Sequence, residues 1–229
     1  MVAEGAWPAI GARSSDKVMA RDLGPACRKC RREGIKLLLK GMRCESAKCP
    51  MEKPSRNTPP GVAHSFRRGG ASEYGKRLRE VQKVKRYYGL FDKQFRSFFR
   101  RAQRSKANTG EALLTLLERR LDNVVCKLGF AASRKAARVA IVYNHITVNG
   151  ARVNKPGYLI QVGDRIGVRK REASQKMVRA HAEANPNRVL QAWLKLDPQA
   201  LEGDVVAMPA RDDVQIPVEQ QLIVEYCSR

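Results

Sequence analysis

Between residues 20 and 53 the chain carries four of its six cysteines, interleaved with Arg and Lys, and too few apolar residues to build a core of its own. The thiols are set as two short-range pairs, Cys27-x2-Cys30 and Cys44-x4-Cys49, with thirteen residues between the pairs. Four thiolates so spaced can close a tetrahedron around zinc, and a small basic segment without a core has physical need of that staple. The same sulfurs suit an iron–sulfur cluster as the alternative, or unmetallated thiols. Structural disulfides do not fit a cytoplasmic protein. The expected metal ligands are therefore Cys27, Cys30, Cys44 and Cys49, with structural zinc as the cofactor. Cys126 and Cys227 stand alone in apolar stretches and read as small buried hydrophobes.

Charge points to the partner. Residues 19–110 carry 25 basic against seven acidic side chains, 111–183 carry 14 against six, and 184–229 carry four against seven. A net charge of +23 calls first for a polyanion, and the excess puts its contact in the N-terminal half. No run approaches the ~20 apolar residues that span a bilayer, and residues 1–20 have neither the basic start nor the apolar run of a signal peptide. The expectation is a cytoplasmic protein without a membrane partner or small-molecule substrate.

Along the chain, residues 1–18 lack periodicity and read as a disordered tail. Ile35 to Leu39 suggests a short apolar helix, and the Pro- and Gly-rich 54–70 an extended basic loop. Ser72 offers an N-cap for a helix whose apolar stripe is Tyr74, Leu78, Val81, Val84 and Tyr88, stopped by Gly89. Phe91, Phe95, Phe98, Phe99 and Ala102 make a second stripe, with Arg96, Arg100, Arg101 and Arg104 on the other faces. The helical spacing of these aromatics favours a core over base stacking. From Glu111 one further helix runs to Gly129, and Ser133 caps the next. A hairpin follows at Asn149-Gly150, and Leu159 to Val168 should add strand. The tail holds Trp193-Leu194 and closes on an alternation of Leu222, Val224 and Tyr226. Its mild acidity suits packing against basic protein.

Basic clusters are usually solvated faces, but Arg134, Lys135 and Arg138 fall at a helix N-terminus, whose N–H groups already favour phosphate, and Arg152 and Lys155 flank the hairpin beside it. The candidate RNA-binding residues are Arg56, Arg67, Arg68, Lys76, Arg77, Lys83, Lys85, Arg86, Arg100, Arg101 and Arg104, with Arg134, Lys135, Arg138, Arg152 and Lys155. His64, His145 and His181 are scattered, with no second ligand or nucleophile nearby, and none reads as catalytic.

The stretch ERRLDNVVCKLGFAASRKAARVAIVYNHITVNGARVN resembles the small RNA-binding module named after small-subunit ribosomal protein four. The segments GPACRKCRREGIKLLLKGMRCESAKC, PPGVAHSFRRGGASEYGKRLREVQKVKRYYG, KQFR, NTGEALLTLLERRLDNVV and PVEQQLIVEYCSR extend the resemblance, from Met19 to Arg229, to the bacterial ribosomal protein four family itself. The resemblance implies a ribosome-bound structural protein of the small subunit. Such a protein binds ribosomal RNA early, nucleates assembly of the body, and with a neighbouring ribosomal protein supports accuracy at the mRNA entrance. It also makes Met19 a typical family start, so residues 1–18 are either an extension or a misplaced start.

Two other functions compete with this one. Arg120-Leu121-Asp122 matches a catalytic tripeptide of certain pseudouridine synthases, but it lies inside an apolar helical stripe and no β-rich catalytic domain remains. A free DNA- or mRNA-binding regulator would dock one recognition helix, whereas here charge is spread over loops and several helices. The fold expected is α+β and mainly helical: a cysteine-bearing helical domain over 19–117, an inserted helix-plus-hairpin module over 118–182, and a segment over 183–229 packing back on the first domain.

Overall fold

A computed structural model describes residues 22, 24–61, 72–184 and 190–228. The tail 1–18 and the side chains of His64, Arg67 and Arg68 lie outside the described residues. Helix α1 (Ala26–Glu33) is the first helix among the described residues and ends at Gly34, whose φ of 70° is left-handed. The expected helix at 35–39 does not form. Leu38 takes a φ of 50°, incompatible with a helix, while Leu37 and Leu39 on either side are buried as anchors.

Helix α2 (Glu73–Tyr88) begins where Ser72 Oγ accepts the Gly75 N–H at 3.1 Å and stops at left-handed Gly89. Helix α3 (Asp92–Gln103) buries Phe95, Phe99 and Ala102, and α4 (Thr109–Glu118) buries Leu113, Leu114 and Leu117. Phe95, Phe99, Ala102, Leu113 and Leu117 form the first core with Leu37, Leu39, Val81, Val84, Tyr87 and Tyr88.

The single helix expected from Glu111 to Gly129 is instead two, α4 and α5 (Leu121–Lys127). Arg120 between them is extended, with φ −66° and ψ 135°. The chain there joins a strand-like exchange: Ile160 N–H donates to the Arg119 carbonyl at 3.1 Å and Leu121 N–H to the Tyr158 carbonyl at 2.9 Å. Hydrogen bonding to residues forty positions away outweighs the helical periodicity.

Helix α6 (Arg134–Val142) is capped by Ser133, and β1 (Ile146–Val148) and β2 (Ala151–Arg152) follow. Asn149 and Gly150 both have positive φ, 51° and 78°, as a type I′ turn requires. Of 159–168 only β3 (Arg165–Val168) is strand. After α7 (Glu172–Glu183), β4 (Leu194–Asp197) and β5 (Glu202–Val205) complete an antiparallel sheet of order β2-β1-β3-β5-β4.

The segment 183–229 thus divides, where the sequence suggests one course back to the first domain. Trp193, Leu194, Leu201 and Val205 join the module's core, whereas Ile216, and Ile223 on the later helix α8 (Gln220–Cys227), join the first. A Cβ on Gly203 would sit 2.6 Å from Leu128 Cδ2, so a glycine is what lets β5 lie against the end of α5. The alternation of Leu222, Val224 and Tyr226 belongs to α8, which packs on α2 and α4.

Candidate nucleic-acid interface

The first constituent is a row of cations on the outer side of α3. Lys93, Arg96, Arg100, Arg101 and Arg104 are exposed on or just beyond this helix, opposite the buried Phe95 and Phe99. At ~1.5 Å rise per residue, Lys93 to Arg104 spans about 16 Å, long enough to meet successive phosphates of one strand. Among the described residues Arg100, Arg101 and Arg104 form no ion pair, while Arg96 Nε rests on Asp92 Oδ2 at 2.7 Å. Lys93 and Arg96 complete the row but were not among the candidates. Their signal was the stripe itself, read as a face rather than residue by residue.

Of the other candidates, Arg56 is exposed on a short turn, and Arg152 and Lys155 are exposed at and after the hairpin. Lys76 is exposed but paired with Glu73 at 2.7 Å. Arg77 is half-buried on Glu225 at 2.7 Å, Lys83 bonds Glu80 and the Pro217 carbonyl, and Arg86 bonds Glu33. Lys85 is buried against Asp92 at 2.8 Å.

Arg134 and Arg138 require a correction. Expected to hold phosphate at the start of α6, they turn inward. Arg134 Nε donates to Asn123 Oδ1 at 2.8 Å, with its guanidinium carbon 3.6 Å from the Tyr87 ring centroid. Arg138 Nη1 donates to Asp122 Oδ2 at 2.9 Å. The spacing that places both cations in the first turns of α6 also places them over the polar end of α5. The face shared with the hairpin is left to half-buried Lys135, Arg152 and Lys155.

The inward charges form two linked clusters. Asp122 accepts from Arg120 Nε at 3.1 Å and Nη2 at 2.6 Å as well as from Arg138. Glu118 accepts from Tyr88 Oη at 2.5 Å and Asn123 Nδ2 at 2.6 Å, and pairs with Lys127 at 2.5 Å. Lys127 also bonds Gln191 and the Asp213 carbonyl. Burial lowers the Lys127 ammonium from its ordinary value against the pull of Glu118. Burial first, and Glu118 second, push the Tyr88 phenol well up. Side chains from the first domain, the module and the C-terminal segment meet here.

Cys27, Cys30, Cys44 and Cys49 line one small cavity between α1 and the turns that follow it. The Lys40 N–H points at Cys44 Sγ at 3.3 Å, and backbone N–H groups of Leu37 and Leu39 bear on Cys30 and Cys44. Such donors stabilise thiolate and suit metal ligation. Burial pushes the Cys30 and Cys44 thiols up, a cost that a cation among them offsets. Among the described residues no three His, Cys, Asp or Glu side chains stand in closed ligating geometry, so convergence, not coordination, is what is observed. Cys126 is buried and Cys227 half-buried. His145 Nδ1 lies 2.9 Å from Ser174 Oγ, and His181 is partly buried.

Residues 21–118 match the family model for the ribosomal protein S4/S9 N-terminal domain, and 119–166 match that for the S4 domain. Over 211 residues, 92% of this chain and all of each relative, the chain is 51% identical to small ribosomal subunit protein uS4A of Symbiobacterium thermophilum. Over the same span it is 49% identical to uS4 of Halothermothrix orenii and 46% to uS4 of Thermus thermophilus. The chain belongs to the uS4 family.

The boundary between the two uS4 segments, at 118/119, coincides with the break between α4 and α5. Glu118 and Lys127 therefore pair across it. The Arg120-Leu121-Asp122 tripeptide, which matches a catalytic one in sequence, is buried and spent on its own ion pair and on Arg138. In this uS4 chain it is structural.

Proposed function

We propose that the chain is a structural constituent of the small ribosomal subunit, bound to small-subunit ribosomal RNA and neighbouring ribosomal proteins in the cytoplasm, and not an enzyme. The observation that carries this reading is the outward row of cations on α3 in a chain whose uS4 kinship runs through 92% of its length. Arginine forks and lysines on a rigid frame neutralise phosphates and read the shape of folded RNA. A frame locked by the Glu118 and Asp122 clusters suits a protein that binds early and nucleates assembly of the body. The finer role, supporting accuracy with a neighbouring protein at the mRNA entrance, is part of the same proposal.

Cys27, Cys30, Cys44 and Cys49 would hold a structural zinc, the iron–sulfur cluster being the alternative. The ion would staple α1 to the turns over 41–52, a segment whose own apolar anchors are few. If the reading is right, the endogenous protein sediments with small subunits and leaves them only at high salt. A protein remaining in the soluble fraction would instead favour the free regulator.

A further inference from the structure

Between α1, the α2–α3 turn and α6 lies a cleft of about 370 Å³. The cations along it are largely engaged within the fold. Lys29 pairs with Asp22, Lys85 with Asp92, Arg86 with Glu33 and Arg138 with Asp122. Arg134 is turned inward onto Asn123 and the Tyr87 ring. The open part of the lining is apolar. Leu39, Tyr88 and Leu90 line the cleft as buried residues, whereas Phe91 beside them is 41% exposed. A space of a few hundred cubic ångströms, apolar where it is open and satisfied where it is polar, suits an aromatic side chain rather than an anion.

The chain itself carries such a side chain at the right place. Asp22, the first described residue, lines the cleft, where its carboxylate accepts the Gly24 N–H at 2.8 Å and pairs with Lys29. The residues before it include the apolar run Trp7-Pro8-Ala9-Ile10, and Trp7 is the one aromatic of residues 1–18. The uS4 family match begins only at residue 21. Trp7 stands fifteen positions before Asp22. A flexible tether of that length spans about 20 Å on root-mean-square average, which keeps its end near the anchor at an effective concentration on the order of millimolar. A weak apolar contact then suffices for occupancy. We propose that residues 7–10 dock in this cleft, with the Trp7 indole packed on the Phe91 ring, and so tie the cysteine-bearing α1 to α6 of the module.

The test is acrylamide quenching of tryptophan fluorescence in the full chain, its intact mass confirming that residues 2–18 are present. The chain has two tryptophans, and Trp193 is 2% exposed. The emission lost in Trp7→Phe identifies the share carried by Trp7. In the wild type that share is blue-shifted and shielded from acrylamide. Phe91→Ala shifts it to the red and makes it quenchable, whereas Phe91→Tyr, which keeps the ring, leaves it shielded. Hydroxyl-radical footprinting reads the other side of the contact without altering the cleft: Phe91 is oxidised more readily in Trp7→Ala than in the wild type. A Trp7 that quenches as a free indole in the wild type, shielding unaltered in a folded Phe91→Ala, or equal oxidation of Phe91 with and without the indole overturns the proposal. So does shielding that appears only as protein concentration rises, which gives the cleft to a second copy, or only on adding the 5′-domain ribosomal RNA, which gives it to the RNA.

Discussion

Glu118 and Lys127, the last residues of α4 and α5, meet at 2.5 Å with side chains 0% and 4% exposed. Removing one charge leaves the other buried and uncompensated. Lys127→Ala should cost about 3–5 kcal/mol in urea unfolding, and Glu118→Leu with Lys127→Met together should cost less than either change alone. A single variant losing under about 1 kcal/mol would mean the pair is solvated and the domains are not locked through it.

The phenols beside this pair set the alkaline limit. Tyr88 is raised well above the ordinary value of 10.0, by burial and then by Glu118, and Tyr87 is raised chiefly by burial. Above pH 10 the unfolded chain releases phenolic protons that the folded chain keeps. The folded state then binds more protons, and stability that is complete below that pH falls as pH rises towards the folded values. Cys227, pushed up to about 11 by burial, adds the same sign. Urea midpoints from about pH 8 to about pH 11 should decline, and Tyr88→Phe should flatten the decline while costing about 1–3 kcal/mol at neutral pH, where Glu118 loses a donor.

Gly203 is where β5 presses on the module. Its added methyl would meet Leu128 carbons at 2.6 and 2.7 Å, so Gly203→Ala should cost about 1–3 kcal/mol by thermal melt. Gly163→Ala, with open space around it but a φ of 88°, tests strain without clash. Equal losses at both positions would show that the Leu128 contact is not what restricts Gly203.

The cysteine segment tests the metal. Purified from zinc-replete cells, the chain should carry about one zinc, and chelation or Cys27→Ser with Cys30→Ser should open residues 24–61 to protease while 119–184 stays resistant. Unchanged cleavage after chelation would refute the staple.

Local signals gave the helices their ends: Ser72, Gly89 and Ser133 stand where caps were read, and Asn149-Gly150 turns as its residue types require. The break at Arg120 was not legible, because a strand-like pairing with Leu159 decides it and no local residue marks it. Nor was the inward course of Arg134 and Arg138. A cation at a helix N-terminus looks the same in sequence whether it faces phosphate or, as here, the carboxamide of Asn123 and the carboxylate of Asp122. The row on α3 was legible because Phe95, Phe99 and Ala102 fix which side is core.

The most direct measurement is binding of the full chain to the 5′ domain of small-subunit ribosomal RNA across a salt series, with tRNA as competitor, for the wild type and for Arg100→Ala with Arg104→Ala. Affinity should survive excess tRNA and fall with salt at a log–log slope of about −0.7 to −0.9 per phosphate neutralised, with the double variant binding more weakly and its slope shallower by about 1.5. Binding that tRNA abolishes, or a double variant with unchanged affinity and slope, would contradict the account.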